Sequence, residues 1–228
     1  MILSIIIPLY NEGRLIDKVL NSVKSVELPS GVTREIIIVD DGSTDDSFEI
    51  LDRHSGDSDI RIFHRDSNAG KASAVKLGIK NSSGEIILIQ DADLEYNPAC
   101  YPQLLEPIIK GKAQVVYGSR FKGRIRKMTL INRIANMISN FTLNLLYGAK
   151  ISDVNTGYKL FRREVFDRVE ITSRNFTFET EVTVKLLKLG YDIYEVPIDY
   201  DARLMKEGKK MTWSKALEMY WGIIKYRR

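Results

Sequence analysis

The sequence predicts an α/β protein with a mostly parallel central sheet flanked by helices. Three observations predict it. Short, largely apolar runs recur at residues 3–7, 35–39, 60–63 and 86–89, and such runs suit strands buried on both faces of a sheet. Between them apolar residues return at helical spacing, so strands and helices alternate through residues 1–95. Polar and acidic clusters directly follow the first, second and fourth runs, and ligands of open α/β sheets bind outside those strand ends.

The first strand stops at Pro8 and enters the loop Leu9-Tyr10-Asn11-Glu12-Gly13, after which Ile16, Val19, Leu20 and Val23 share a helix face. Pro29 to Gly31 make a turn. The second strand runs into Asp40-Asp41-Gly42-Ser43-Thr44-Asp45, where Ser43 or Thr44 is expected to cap a helix with Phe48, Ile50 and Leu51 on its apolar side. After the third strand, Asn68-Ala69-Gly70-Lys71 opens a helix through Ala74, Val75, Leu77, Gly78 and Ile79. Gly84 then leads into the fourth run, which ends at Gln90-Asp91-Ala92-Asp93-Leu94-Glu95.

In the second half, a strand at 114–117 precedes Gly118-Ser119-Arg120. Residues 128–147 read as an amphipathic helix carrying Leu130, Ile131, Ile134, Met137, Ile138, Phe141, Leu145 and Leu146, interrupted by asparagines and Arg133. This helix either packs on a core or faces a membrane. A helix at 176–189, a strand at 193–196 and a last amphipathic helix at 213–226, with Trp213, Leu217, Tyr220, Trp221 and Ile224, complete the chain. That last helix suits an interfacial anchor, with packing onto the body, a second subunit or a membrane-protein partner as the alternative.

The 228 residues suffice for one large domain with a full core. The single cysteine, Cys100, excludes an internal disulfide and a cysteine metal cluster, and His54 and His64 read as surface or strand-edge residues. The N-terminus reads as a strand and no run approaches the ~18 apolar residues of a membrane span. A cytoplasmic protein, at most peripheral to a membrane, is therefore expected. The net charge of +4 is uneven: Arg120, Lys122, Arg124, Arg126, Lys127 and Arg133 cluster with no acid before Asp153, and Arg203, Lys206, Lys209, Lys210, Lys215, Lys225, Arg227 and Arg228 crowd the end. Such patches attract phosphates. No nucleic-acid-reading motif accompanies them, so no nucleic acid is expected as a partner.

Asp91 and Asp93, with Glu95 as a third oxygen ligand, suit a hard divalent cation such as Mg²⁺ or Mn²⁺ that shares its coordination with substrate phosphates. A solvated acidic turn would account for one Asp-x-Asp. Three polar clusters at three strand ends argue for a site.

Together, residues 4–12 (Ser-Ile-Ile-Ile-Pro-Leu-Tyr-Asn-Glu), 39–44 (Val-Asp-Asp-Gly-Ser-Thr), 68–71 and 91–95 resemble the family 2 glycosyltransferases of the GT-A fold, over nearly the whole chain. Residues 155–162 and 194–198 resemble the branch typified by dolichyl-phosphate mannose synthase and other polyprenyl-phosphate sugar transferases. The resemblance implies a single GT-A domain over 1–228. Residues 1–95 would bind the nucleotide sugar, 96–200 would build the acceptor side, and 201–228 would supply a mobile basic loop and the last helix.

By that resemblance Pro8, Tyr10, Glu12 and Asp40 hold the base and ribose, and Asp41 and Ala92 belong to the same donor set. Lys71, at a helix start, faces the diphosphate. Asp93 and Glu95 bind the metal, and Asp91 is shared between ribose and metal; Glu95 stands where the mannose synthases often carry an amide. Arg203 and Lys209 reach the donor phosphates from a loop that closes over them and excludes water. Arg120 and Arg133 hold the acceptor phosphate, with Asp153, Glu179 and Glu181 on the acceptor side. Asp91, Asp93, Arg120 and Arg133 would thus carry catalysis.

The implied reaction is inverting, metal-dependent transfer from a nucleoside-diphosphate sugar, UDP- or GDP-linked, to polyprenyl phosphate at the cytoplasmic face of a membrane. A phosphate monoester is largely ionised near pH 7, its second pKa being about 6, so this acceptor needs no base. Two alternatives stand beside it. A saccharide-hydroxyl acceptor would make Glu179 or Glu181 an obligatory base, and a non-catalytic nucleotide-sugar-binding protein would show no turnover.

Overall fold

A computed structural model of the chain describes residues 1–173, 177–203 and 213–227. Strands β1 (Ile2–Leu9), β2 (Thr33–Asp40), β3 (Ile60–His64) and β4 (Ile86–Ile89) are all parallel and lie in the order β3-β2-β1-β4. Helices α1 (Gly13–Ser25), α2 (Ser47–Asp52) and α3 (Lys71–Lys80) make the crossovers. The continuous apolar runs divide by alternation between the two sheet faces. Ile5, Ile7, Ile36, Ile38 and Leu88 join one core, whereas Ile6, Ile37, Val39, Ile87 and Ile89 join the other. Helix α3 lies close on that second face because Gly78 has no side chain: a Cβ there would stand 2.5 Å from Ile6 Cγ2.

Beyond β4 the sheet continues as β7 (Lys159–Arg162), β5 (Val115–Ser119) and β8 (Ile193–Pro197), giving seven strands in all. Strand β7 runs antiparallel to both β4 and β5, and β8 is parallel to β5. Helices α4 (Tyr101–Ile109), α5 (Leu130–Tyr147), α6 (Arg163–Phe166), α7 (Phe178–Lys188) and α8 (Trp213–Lys225) complete the α-helices among the described residues. The short strands β6 (Ile125–Arg126) and β9 (Tyr200–Asp201) pair in parallel outside the main sheet.

Two local expectations are corrected. Helix α2 begins after Asp46 with no side-chain cap, because Ser43 and Thr44 are used elsewhere. The Ser43 hydroxyl accepts the Asn11 amide at 2.8 Å, and the Thr44 amide donates to Asn11 Oδ1 at 2.7 Å. The apolar side of that helix is also only partly inward: Phe48 is exposed and stands 4.7 Å from the His64 ring. Among the described residues no helix is long and apolar enough to cross a membrane.

Candidate active site

A cleft of about 770 Å³ opens at the carboxyl ends of β1, β2 and β4, walled by the start of α3, one face of α5, the start of α7 and residues 200 and 203. Pro8, Tyr10, Glu12, Asp41, Lys71, Asp91, Ala92, Asp93, Glu95, Arg120, Glu179 and Arg203 all line it.

The loop after β1 is held open by its neighbour. Asn11 sits at φ +48°, the Glu12 amide donates to Ser47 Oγ at 3.1 Å, and the Gly13 amide donates to Asp45 Oδ2 at 3.1 Å. The Asp40–Asp41 doublet divides its work. Asp40 is fully buried behind the cleft, accepting the Ser43 amide at 3.0 Å and facing His64 Nδ1 at 2.8 Å. Asp41 turns forward and accepts the Gly70 amide at 2.7 Å, so it shapes the turn that starts α3. Burial pushes the Asp41 carboxyl above its ordinary range, against the Ala69 and Gly70 amides and Arg65.

Beyond β4, each carboxylate of the Asp-x-Asp meets a cation. Lys71 Nζ lies 2.6 Å from Asp91 Oδ1 and 2.6 Å from Glu179 Oε1. Burial alone would lower this ammonium, but Asp91 and Glu179 outweigh it and raise it, so Lys71 stays charged. Arg203 bridges Glu12, at 2.9 and 3.1 Å, and Asp93, at 2.8 Å. Asp93 is pushed up to about 7 by burial first, then by the charges of Asp91 and Glu95, with Arg203 opposing.

Glu95 lines the cleft as well, with both carboxylate oxygens engaged by other groups. It accepts Tyr200 Oη–H at 2.6 Å and the Arg203 amide at 2.7 Å, fastening residues 200 and 203. Among the described residues no three His, Cys, Asp or Glu side chains converge as a ready metal set. Asp91 and Asp93 remain, and two hard carboxylates lining a cleft fit Mg²⁺ or Mn²⁺, which characteristically takes one or two carboxylates together with substrate phosphates. Lys71 and Arg203 stand where that positive charge would be wanted.

On the other wall, Arg120 is buried against Asp153. Its Nε and Nη2 each reach the carboxylate at 2.7 Å, its backbone amide reaches it at 2.9 Å, and its guanidinium lies 5.0 Å from the Tyr200 ring centre. Asp153 itself is fully buried behind Arg120. Arg133 lies on the exposed side of α5 and does not line the cleft. Glu181 is fully buried away from it, accepting from Thr172, Ser173 and Lys185; burial opposes its ionisation, but those bonds pull it down to about 2. Lys209 lies outside the described residues.

Several site-building residues carry no signal in composition or spacing. Gln90 is fully buried, accepts both Tyr101 Oη–H at 2.6 Å and Tyr158 Oη–H at 2.7 Å, and donates to the Asp91 carbonyl at 2.8 Å. This fixes the strand end from which Asp91 projects. Gly157 packs directly on Asp91: a Cβ there would stand 2.4 Å from Asp91 Oδ2 and 3.1 Å from the Tyr96 ring. Gly157→Ala is expected to lower kcat/KM by about 100-fold, the scale of an ångström-sized misplacement, with little change in far-UV circular dichroism. Wild-type turnover in that variant would show that Asp91 has room to move.

Lys159 lies behind the same segment, fully buried. Its ammonium donates to the Val154 and Thr156 carbonyls at 2.9 Å each and sits 3.9 Å from the Tyr117 ring centre. Burial pushes it from 10.5 down to about 7, against Glu179 and Asp153. Between those values the unfolded chain holds a proton that the folded chain has released, so this group makes stability rise with pH across that window. The melting-temperature advantage of wild type over Lys159→Met should therefore grow from pH 7 to pH 10, whereas a constant difference would contradict it.

The sequence profile of glycosyl transferase family 2 matches residues 4–170. The dolichol-phosphate mannosyltransferase of Pyrococcus furiosus is 30% identical over 216 residues, covering 92% of this chain and 59% of that protein. Glycosyltransferase AglD of Haloferax volcanii is 27% identical over 207 residues, covering 88% of this chain and 33% of that protein. The chain thus spans less than two-thirds of the length of these relatives. Among solved structures, Mycobacterium tuberculosis glucosyl-3-phosphoglycerate synthase with Mn²⁺, UDP and glucosyl-3-phosphoglycerate superposes with a TM-score of 0.75 at 20% identity, covering 98% of this chain and 79% of that one. The same enzyme with Mg²⁺ and UDP gives 0.75 at 20% identity, covering 98% and 78%. These likenesses show the GT-A fold. The strand-end motifs, the fold and the match over most of the chain agree, and the chain belongs to glycosyl transferase family 2.

Proposed function

We propose that the chain transfers a hexose, with inversion, from a nucleoside-diphosphate sugar to the phosphate of a polyprenyl carrier at the cytoplasmic face of a membrane. The observation that carries this reading is the two-sidedness of α5. One side of the helix, with Asn132, Ala135, Asn136 and Ser139, walls the cleft. The other side leaves Leu130 71%, Phe141 69% and Leu145 71% exposed, in a stripe with Ile131, Ile134, Met137 and Ile138. Helix α8 packs beside it and adds exposed Leu217 and Trp221, while Met219 and Ile223 turn inward. An exposed apolar surface of this extent calls for an apolar partner. A lipid phosphate meets both sides at once, with its head in the cleft and its chain along the stripe. Exposed Arg124, Arg126, Arg133, Lys225 and Arg227 suit an anionic cytoplasmic leaflet. Similarity to the Pyrococcus furiosus mannosyltransferase supports the same acceptor class.

In this reading Asp91 and Asp93 hold Mg²⁺ or Mn²⁺, which supplies positive charge against the leaving diphosphate, and divalent metals in the superposed structures support that use. Lys71 adds an ammonium at the start of α3, while Glu12, Tyr10 and Pro8 bound the nucleoside. Arg120, fixed by Asp153, orients the acceptor phosphate. A series of isoprenyl phosphates tests the acceptor: KM should fall with chain length, and glycerol phosphate should be a poor substrate. Equal use of glycerol phosphate would contradict the lipid acceptor.

A further inference from the structure

Two buried acceptors that line the cleft have no hydrogen-bond partner: Asn155 Oδ1 and Glu179 Oε2. An unmet buried acceptor is costly, so a pair of them in one cleft marks a ligand that brings donors. The orientation of Asn155 follows from its neighbours. Asn136 Nδ2 donates to the Asn132 carbonyl at 2.7 Å, so Asn136 Oδ1 must be its acceptor end. Asn155 meets that oxygen at 3.1 Å and must present its amide nitrogen there, which leaves its own oxygen as the unpartnered acceptor. Glu179 is 5% exposed; Lys71 takes its Oε1 at 2.6 Å, and Oε2 is left over.

Both acceptors belong to segments that meet Asp91. Glu179 reaches it through the shared Lys71 ammonium. Asn155 stands two residues before Gly157, where a Cβ would come within 2.4 Å of Asp91 Oδ2. They line the same cleft as Asp91, beside which the donor reading puts the diphosphate and the sugar it carries. An ionised phosphate brings no donors, whereas a hexose brings several hydroxyls. Resting on the donor reading above, we infer that Asn155 Oδ1 and Glu179 Oε2 accept hydrogen bonds from hydroxyls of the transferred sugar and thereby set which hexose is used. Glu179 then belongs to the donor sugar, not to a proton acceptor for the second substrate.

Glu179→Gln tests this with little change of shape. The amide oxygen stays on Lys71 and its nitrogen replaces Oε2, turning an acceptor into a donor. Asn155→Ala removes the other acceptor. Calorimetric titration with Mn²⁺, without any acceptor substrate, compares UDP and GDP with their hexose conjugates. The expected result is that each variant binds the bare nucleotide within about twofold of wild type, which also reports correct folding. The sugar conjugate should weaken about tenfold or more in Glu179→Gln and about fivefold in Asn155→Ala, a charged acceptor being worth more than a neutral one. Equal weakening of nucleotide and conjugate, or no weakening of either, would overturn the inference and leave the donor reading intact. Wild-type protein that binds neither nucleotide nor conjugate would overturn the donor reading and this inference with it.

Discussion

Asp93→Ala is expected to abolish metal-dependent binding of the nucleotide sugar, with an affinity loss of about 100-fold or more. Loss of an outer-shell partner to a metal site typically costs about 10–100-fold, and a direct ligand should meet or exceed the upper end. Asp93 lies between Asp91 and Glu95, and burial, reinforced by their charge, raises its carboxyl to about 7. The carboxylate form is the ligand, so Mn²⁺ affinity in wild type should increase as pH rises through that value. Electron paramagnetic resonance of free Mn²⁺ measures both effects without turnover. Unchanged Mn²⁺ affinity in Asp93→Ala would remove Asp93 from the metal site. Glu95→Gln should change Mn²⁺ affinity far less than Asp93→Ala, because the Glu95 carboxylate holds Tyr200 and the Arg203 amide and acts on Asp93 through its charge.

Placing two charges on the apolar face, as in Phe141→Glu with Leu145→Glu, should release the protein from anionic vesicles. Both side chains are about 70% exposed, at 69% and 71%, so the fold loses little. Full burial of one such side chain contributes about 1.5–3 kcal/mol, so losing two corresponds to at least about 100-fold in vesicle partitioning. Turnover with a short, soluble isoprenyl phosphate should hold near wild type, since neither residue lines the cleft. Sedimentation with vesicles equal to that of wild type would assign this face to a protein partner instead.

Residues 1–95 were legible because their strands are continuous apolar runs, most of them ending in polar clusters. The boundaries moved by only a residue or two, as in β1 from 3–7 to Ile2–Leu9. Strand β7 left no such mark. Its sequence, Lys-Leu-Phe-Arg, begins with a lysine that is buried only because two carbonyls and an aromatic ring receive it. Periodicity also does not reveal that this late segment inserts antiparallel between β4 and β5.

Within the site, residue type was readable and direction was not. Adjacent residues of an extended strand point to opposite sides, so only one of Asp40 and Asp41 reaches the cleft. Residues two apart on a helix lie on different faces, so Glu179 lines the cleft while Glu181 ties down residues 172 and 173. On α5 a single step separates Asn132, in the cleft, from Arg133, outside it. Those choices depend on how each element is rotated against the core.

The most direct test is nucleotide release with Mn²⁺ from a panel of UDP- and GDP-sugars, with and without a medium-length polyprenyl phosphate. Release from one preferred sugar donor, stimulated by the lipid phosphate and lost in Asp93→Ala, is the expected result. Release that is indifferent to the lipid phosphate but stimulated by a saccharide would contradict the lipid acceptor.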